Sequence, residues 1–184
     1  AAYHVDDGRQ VWRFETVPGP GASGHTTWAG ESWRTGGAPT WVTGAYDPEQ
    51  DLVLWGTGNP APVYRADVRA GDNLYSNSVV ALDAKTGQLR WHYQFTPGDT
   101  HDWDAAQQPV LAEIDHRGVR RSVVLWPNRN GFYYALDRHS GAFLFARAFV
   151  TQNWNKGFDA DGRPRTVIGI EPSTAGTLVW PGPM

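Results

Sequence analysis

The sequence contains no cysteine, which excludes disulfides, thiolate metal sites and cysteine nucleophiles while leaving the redox compartment open. No apolar run is long enough to cross a membrane, a task that takes about 18 residues or more, and no basic, apolar and small-residue leader opens the chain, which starts at Ala1-Ala2-Tyr3 in mid-pattern. Targeting information is therefore expected elsewhere. Runs of basic residues are missing too: 16 Lys+Arg stand against 19 Asp+Glu, a formal net charge of −3, so nucleic acid is not an expected partner. Helical periodicity is equally scarce, and a short helical turn around Pro97 to Trp103 is the one such expectation.

What is present is 10 Trp, 21 Gly and 13 Pro in 184 residues, the profile of short strands and many turns around large aromatic anchors. The expected class is all-β, in one domain over residues 1–184. Four segments share a plan of strand, Asp-opened turn, then a strand with an aromatic four residues after the turn's pivot. Their pivots are Gly8, Asp51, Gly87 and Gly141, and their aromatics Trp12, Trp55, Trp91 and Phe145. Each reads as a hairpin in which Asp caps the turn, Gly or Asp takes the positive φ, and the aromatic packs between neighbouring sheets. Pivot spacings of 43, 36 and 54 residues are those of propeller blades; unrelated hairpins in a sandwich are the bland alternative. Long irregular stretches lie between, at 17–39, 59–73, 96–108 and 152–164, and loops of that length usually carry function or hold their own structure.

Several candidates for chemistry stand in or beside those stretches. In Gly56-Thr-Gly-Asn59-Pro-Ala-Pro62 the glycines let backbone approach a ligand and the prolines fix Asn59, whose amide oxygen is a hard neutral ligand suited to calcium; an Asn capping a turn before Pro reads the same. Thr96-Pro-Gly-Asp99-Thr-His101-Asp102-Trp-Asp104 crowds three carboxylates and a histidine into nine residues. Such crowding is costly without a cation or hydrogen bonds, and one acid held ionised by a metal could serve as general base. Asp99 and Asp102 read better as turn caps, and His101 lacks the partners of a zinc ligand. Asn130-Gly131 signals a tight hairpin just after Arg129, whose planar guanidinium suits anionic or carbonyl oxygens, or is an ordinary surface arginine. Trp41 offers a flat apolar face to a planar ligand, or is core like most tryptophans.

Taken together and in order, Gly36-Gly-Ala-Pro-Thr-Trp41, Ala45-Tyr-Asp-Pro48, Gly56 to Pro62, Arg69-Ala-Gly-Asp-Asn73, His101-Asp-Trp-Asp104, Asn128-Arg-Asn-Gly131 and Ala135-Leu-Asp-Arg138 resemble the quinoprotein alcohol dehydrogenases, the methanol and ethanol dehydrogenases that use pyrroloquinoline quinone (PQQ). The resemblance implies about four blades of an eight-bladed β-propeller with tryptophan-docking repeats. It implies Trp41 as the floor under the quinone, Arg129 at the quinone oxygens where many relatives have Lys, and Thr40 as a further PQQ contact, although some relatives place the Thr one residue earlier. Asn59 and Asp104 become metal ligands, with Asp104 also the catalytic base.

The family's glutamate ligand and its pair of adjacent cysteines would lie upstream of Ala1. Lanthanide-using relatives carry a second Asp two residues after the base, where Ala106 stands here, so the resemblance points to calcium. The implied activity is PQQ- and calcium-dependent oxidation of an alcohol substrate, with a cytochrome c or quinone as electron acceptor and a periplasmic location. An open ring exposes sheet edges, so these 184 residues are expected to aggregate and to be inactive alone. A non-catalytic propeller scaffold is the rival, but it gives no reason for Asn59, Asp104 and Arg129 to occur together. The geometric expectation is that four side chains, each from a different blade, meet at the hub.

Overall fold

The computed structural model describes residues 1–182, so the last two residues of the single expected domain lie outside the described part. It is all-β apart from three single-turn 3-10 segments at His25–Thr27, Ser32–Arg34 and Ala66–Val68. Twelve short strands form four antiparallel sheets. β1 (Ala2–Tyr3) pairs with β2 (Gln10–Trp12). β3 (Ala45–Asp47), β4 (Leu52–Gly56), β5 (Ser78–Asp83) and β6 (Leu89–Gln94) form a four-stranded meander, as do β7 (Val110–His116), β8 (Val119–Pro127), β9 (Phe132–Asp137) and β10 (Phe143–Ala148). A last hairpin joins β11 (Asn155–Phe158) to β12 (Pro164–Thr166), with β11 and the turn inside the stretch 152–164 read from the sequence as irregular. Among the described residues no helix is long and apolar enough to cross a membrane.

The turn chemistry is as the residues dictate. Asp83 Oδ1 accepts the N–H of Lys85 and Thr86, and Asp137 Oδ1 that of His139 and Ser140, so each carboxylate replaces backbone partners the turn leaves open. Gly87 and Gly141 follow at φ +70° and +72°. A Cβ on Gly87 would strike the Trp12 ring, and one on Gly141 the Trp91 ring. The turn glycine of each sheet is therefore the seat for the outer-strand tryptophan of the sheet before it, and the Trp12 indole N–H donates to the Ala84 carbonyl at 2.9 Å. This is the docking contact the repeat anticipated.

The repeat itself is not four equivalent copies. Asp51 (φ +54°) turns β3 into β4, whereas Gly87 turns β5 into β6 of the same sheet. The corresponding turns are thus Gly8, Gly87 and Gly141, spaced 79 and 54 residues apart. Any tight turn between β-branched or aromatic strands produces the same local pattern, which is why Asp51 looked like a member. At the fourth copy Phe145 stacks on His116, with ring centroids 5.2 Å apart, and Phe143 packs on the Gly162 turn instead. Nor does residues 97–103 form a helical turn, because Gly98 (φ +61°) and Asp102 (φ +63°) break the right-handed run.

One core cluster runs through both meanders, including Leu54, Val79, Phe95, Trp103, Val124, Trp126, Tyr134 and Trp154, each at most 1% exposed. The inner edge strands β3 and β7 lie side by side. At the far end of β3, buried Asp47 accepts two hydrogen bonds from one edge of the Arg138 guanidinium, Nε to Oδ2 and Nη2 to Oδ1, from the neighbouring sheet. Because successive strands are antiparallel, the entry to β3, the exit of β4, the β6–β7 connection and the β8–β9 turn all fall at the opposite end.

Candidate cofactor and metal site

Those four places carry Trp41, Asn59, Asp104 and Arg129. β4 ends at Gly56, and Gly58 then runs so close to the next loop that a Cβ there would meet the Asp104 carboxylate and, at 2.8 Å, Pro39. The glycine is what lets the chain pass. Asn59 follows, donating its backbone N–H to Asp104 Oδ1 at 2.8 Å. On the other side Arg129, projected by the β8–β9 turn, donates through Nη1 to Asp104 Oδ2 at 2.7 Å. That turn is fixed by buried Asn130, whose amide reaches Thr96 Oγ1 at 3.0 Å and Tyr134 Oη at 2.8 Å.

Asp104 is 6% exposed. Burial pushes its carboxyl up from the ordinary range; the Asn59 N–H and the Arg129 charge pull it down, Asp102 adds a push upward, and the Trp41 indole is a further, weaker stabiliser of the anion. Burial prevails, as it does when the opposing charges do not fully replace lost water. Trp41 is itself 61% exposed, so it presents a ring face rather than joining the core.

The structure thus sets the Asn59 backbone N–H, the Arg129 guanidinium and the Trp41 indole against the Asp104 carboxylate. Two adjacent sheets supply them, not four, because Trp41 and Asn59 flank β3 and β4 of one meander and Arg129 belongs to the next. Thr40 faces elsewhere: it lines a cleft of about 560 Å³ with Trp12, Phe14, Val53 and Trp55, between the β1–β2 hairpin and the first meander. Asp99 caps its turn as expected, accepting the N–H of His101 at 2.8 Å. Asp102 lies 3.9 Å from Arg129, at the edge of the site rather than only in the turn. His101 stacks on Trp103 with centroids 4.5 Å apart and points Nε2 at the Ile170 carbonyl, 2.9 Å away.

For a divalent cation the donors fit in kind and fall short in number. The Asn59 amide N–H₂ bonds the Pro60 carbonyl at 3.1 Å, which leaves Oδ1 as the free end, and each Asp104 oxygen accepts one hydrogen bond with a lone pair to spare. These are hard oxygens, suited to calcium, which takes six to eight. Among the described residues no group of three or more His, Cys, Asp or Glu is placed to hold a metal ion, so the chain supplies part of such a shell.

Comparison with known proteins identifies the family. The family described as PQQ, “Glucose/ethanol/alcohol dehydrogenase, beta-propeller domain”, matches residues 1–148. A quinohemoprotein alcohol dehydrogenase, ADH IIB of Pseudomonas putida, is 41% identical, with the match covering all of this chain and 29% of that protein. A lanthanide-dependent methanol dehydrogenase of Methylacidiphilum fumariolicum is 35% identical over 84% of this chain and 28% of its own length. The solved structure of quinohemoprotein alcohol dehydrogenase ADHIIG from Pseudomonas putida HK5 superposes with a TM-score of 0.90 at 38% identity, covering 98% of this chain and 29% of that one. The sheets described above are accordingly blades of a β-propeller, and the chain spans about 30% of the length of such relatives.

Proposed function

The chain belongs to the PQQ-dependent glucose/ethanol/alcohol dehydrogenase β-propeller family, and from that membership we propose that its complete protein oxidises an alcohol to an aldehyde or ketone with PQQ and calcium. The observation that carries the proposal is the convergence of Trp41, Asn59 and Arg129 on the Asp104 carboxylate. A scaffold that only binds proteins has no use for that cluster.

When bound, PQQ supplies the hydride acceptor and calcium a Lewis acid. The chain's own residues bind, orient and move the proton. Trp41 offers its exposed face to the planar ring. Asn59 Oδ1 and the Asp104 carboxylate would hold the metal. Asp104, whose anion the Asn59 N–H and Arg129 support and whose basicity burial raises, accepts the hydroxyl proton of the alcohol as hydride leaves the carbinol carbon. Arg129, with Nη1 on Asp104, would offer its other guanidinium nitrogens to the quinone oxygens. Loss of one proton and one hydride balances the conversion of alcohol to carbonyl.

Calcium is preferred to a lanthanide because Ala106 is 2% exposed and close against Gly56, so position 106 offers no second carboxylate. A role for Thr40 would require PQQ to reach the neighbouring cleft, and we assign it none in the chemistry. A cytochrome c or quinone electron acceptor and a periplasmic location belong to the same family reading, and with only part of a metal shell these residues oxidise no alcohol by themselves. Asp104→Asn in the complete protein should abolish dye-linked alcohol oxidation while the absorbance of bound PQQ persists. Near-normal turnover in that variant would remove Asp104 from its role.

A further inference from the structure

Beneath the site lie three polar side chains that the chemistry above does not use. Arg69 and Asn77 are 0% exposed and Asp99 is 2% exposed. Burying such groups is costly unless they are bonded, and their bonds run between the two loops that carry the ligands. Asp99 Oδ1 accepts the His101 N–H at 2.8 Å, and Oδ2 accepts the Trp103 N–H at 2.8 Å and the Asn77 amide at 2.9 Å. The same Asn77 amide donates to the Trp103 carbonyl at 3.2 Å, while the Asn77 backbone N–H donates to the Gly58 carbonyl at 2.9 Å. Asn77 is therefore bonded at once to the residue before Asn59 and to the residue before Asp104.

Arg69 closes the same gap from the other side. Its guanidinium donates to the carbonyls of Pro62 and Val63, which follow Asn59, to Asn73 Oδ1, and to the carbonyl of Asp99. Asn77 holds a left-handed backbone at φ +48°, unusual outside glycine, and its buried Oδ1 has no hydrogen-bond partner among the described residues. A residue kept in that conformation with an unmet acceptor is over-determined by its surroundings, and the surroundings here are its links to the two ligand loops.

We propose that Asn77 and Asp99 are positioning residues of the metal site, which set the separation of Asn59 and Asp104 without touching metal, cofactor or alcohol. The proposal rests on the metal-site reading of the preceding subsection. The complete protein, stripped of metal and then titrated with calcium in the presence of PQQ, tests it in the variants Asn77→Asp and Asp99→Asn. Each keeps the side-chain shape but sets like groups against each other, oxygen against oxygen in Asn77→Asp and, in Asp99→Asn, an N–H₂ against either the His101 N–H or the Trp103 and Asn77 donors.

The calcium concentration for half-restoration of the PQQ absorbance should rise about tenfold or more, as for lost partners of metal ligands. kcat at saturating calcium should fall roughly 10- to 100-fold, with KM for the alcohol unchanged within about twofold. Asp72→Asn, which weakens the exposed Asp72–Arg163 pair on the same loop, should leave the calcium titration unmoved. If the isosteric variants do not fold, Asn77→Gly, at ease with the positive φ and still able to bond Gly58, carries the same expectation. Folded variants with the calcium response and kcat of the parent would overturn the proposal, as would equal losses in Asp72→Asn. A parent protein that binds no calcium would bring down the functional reading first, and is distinguishable on that account.

Discussion

Replacing Asp47 with Asn should destabilise the complete protein by about 2 to 4 kcal/mol, and the loss should vanish in acid. Asp47 is 0% exposed and Arg138 is 7% exposed, and the pair joins adjacent blades at the end of β3 away from the site. Burial by itself would push the Asp47 carboxyl up, but hydrogen bonds from Arg138, Gln50 and the Glu49 N–H outweigh it and bring the group from 3.8 down to about 2. At about 1.4 kcal/mol for each tenfold step that gap is worth about 2 kcal/mol. Removing one member of a buried pair costs about 3 to 5 kcal/mol, because the other charge is left uncompensated; Glu49 at 3.4 Å from Arg138 relieves part of this.

The sign follows from the direction of the shift. A carboxylate whose folded value lies below its unfolded value stabilises fully above about 4, and its contribution declines as pH falls from there through about 2. Denaturant unfolding of parent and Asp47→Asn proteins between pH 7 and pH 2 measures the difference. A difference below about 0.5 kcal/mol at neutral pH, or one of constant size down to pH 2, would refute the argument, since neither is compatible with an ionised buried partner.

Gly141→Ala and Gly118→Ala alter turn glycines of nearly equal conformation, φ +72° and +75°, but a new Cβ overlaps Trp91 at the first and meets nothing within 4 Å at the second. Both should lose about 1 to 2 kcal/mol for the left-handed backbone, and Gly141→Ala a further 1 to 3 kcal/mol for overpacking; equal unfolding midpoints would dismiss the docking contact. Arg129→Met removes the cation beside Asp104, so the carboxyl should rise further and the acid limb of kcat/KM against pH should move to higher pH. Arg129→Lys, which keeps a charge there, should leave that limb within about half a pH unit, and an unmoved limb in Arg129→Met would contradict the pairing.

Much of this molecule was legible along the chain because its causes are local. Asp83 and Asp137 cap their turns, glycine takes the positive φ at 87 and 141, and Asn130-Gly131 closes a hairpin, each settled within a few residues of the position concerned. The order of motifs from Trp41 to Arg129 also named the residues that meet at Asp104, although which ligand they serve came from resemblance rather than from spacing. Contacts between distant positions were out of reach. That Asp51 and Gly87 serve one blade, that Asp47 faces Arg138 across 91 positions, and that Thr40 turns into another cleft depend on which strands lie side by side. Asn77 gave no signal at all: an asparagine between two serines is unremarkable until folding buries it between the loops of Asn59 and Asp104. Turn geometry is decided by neighbours in sequence, whereas burial and the pairing of buried polar groups are decided by neighbours in space, and only the folded sheets bring those together.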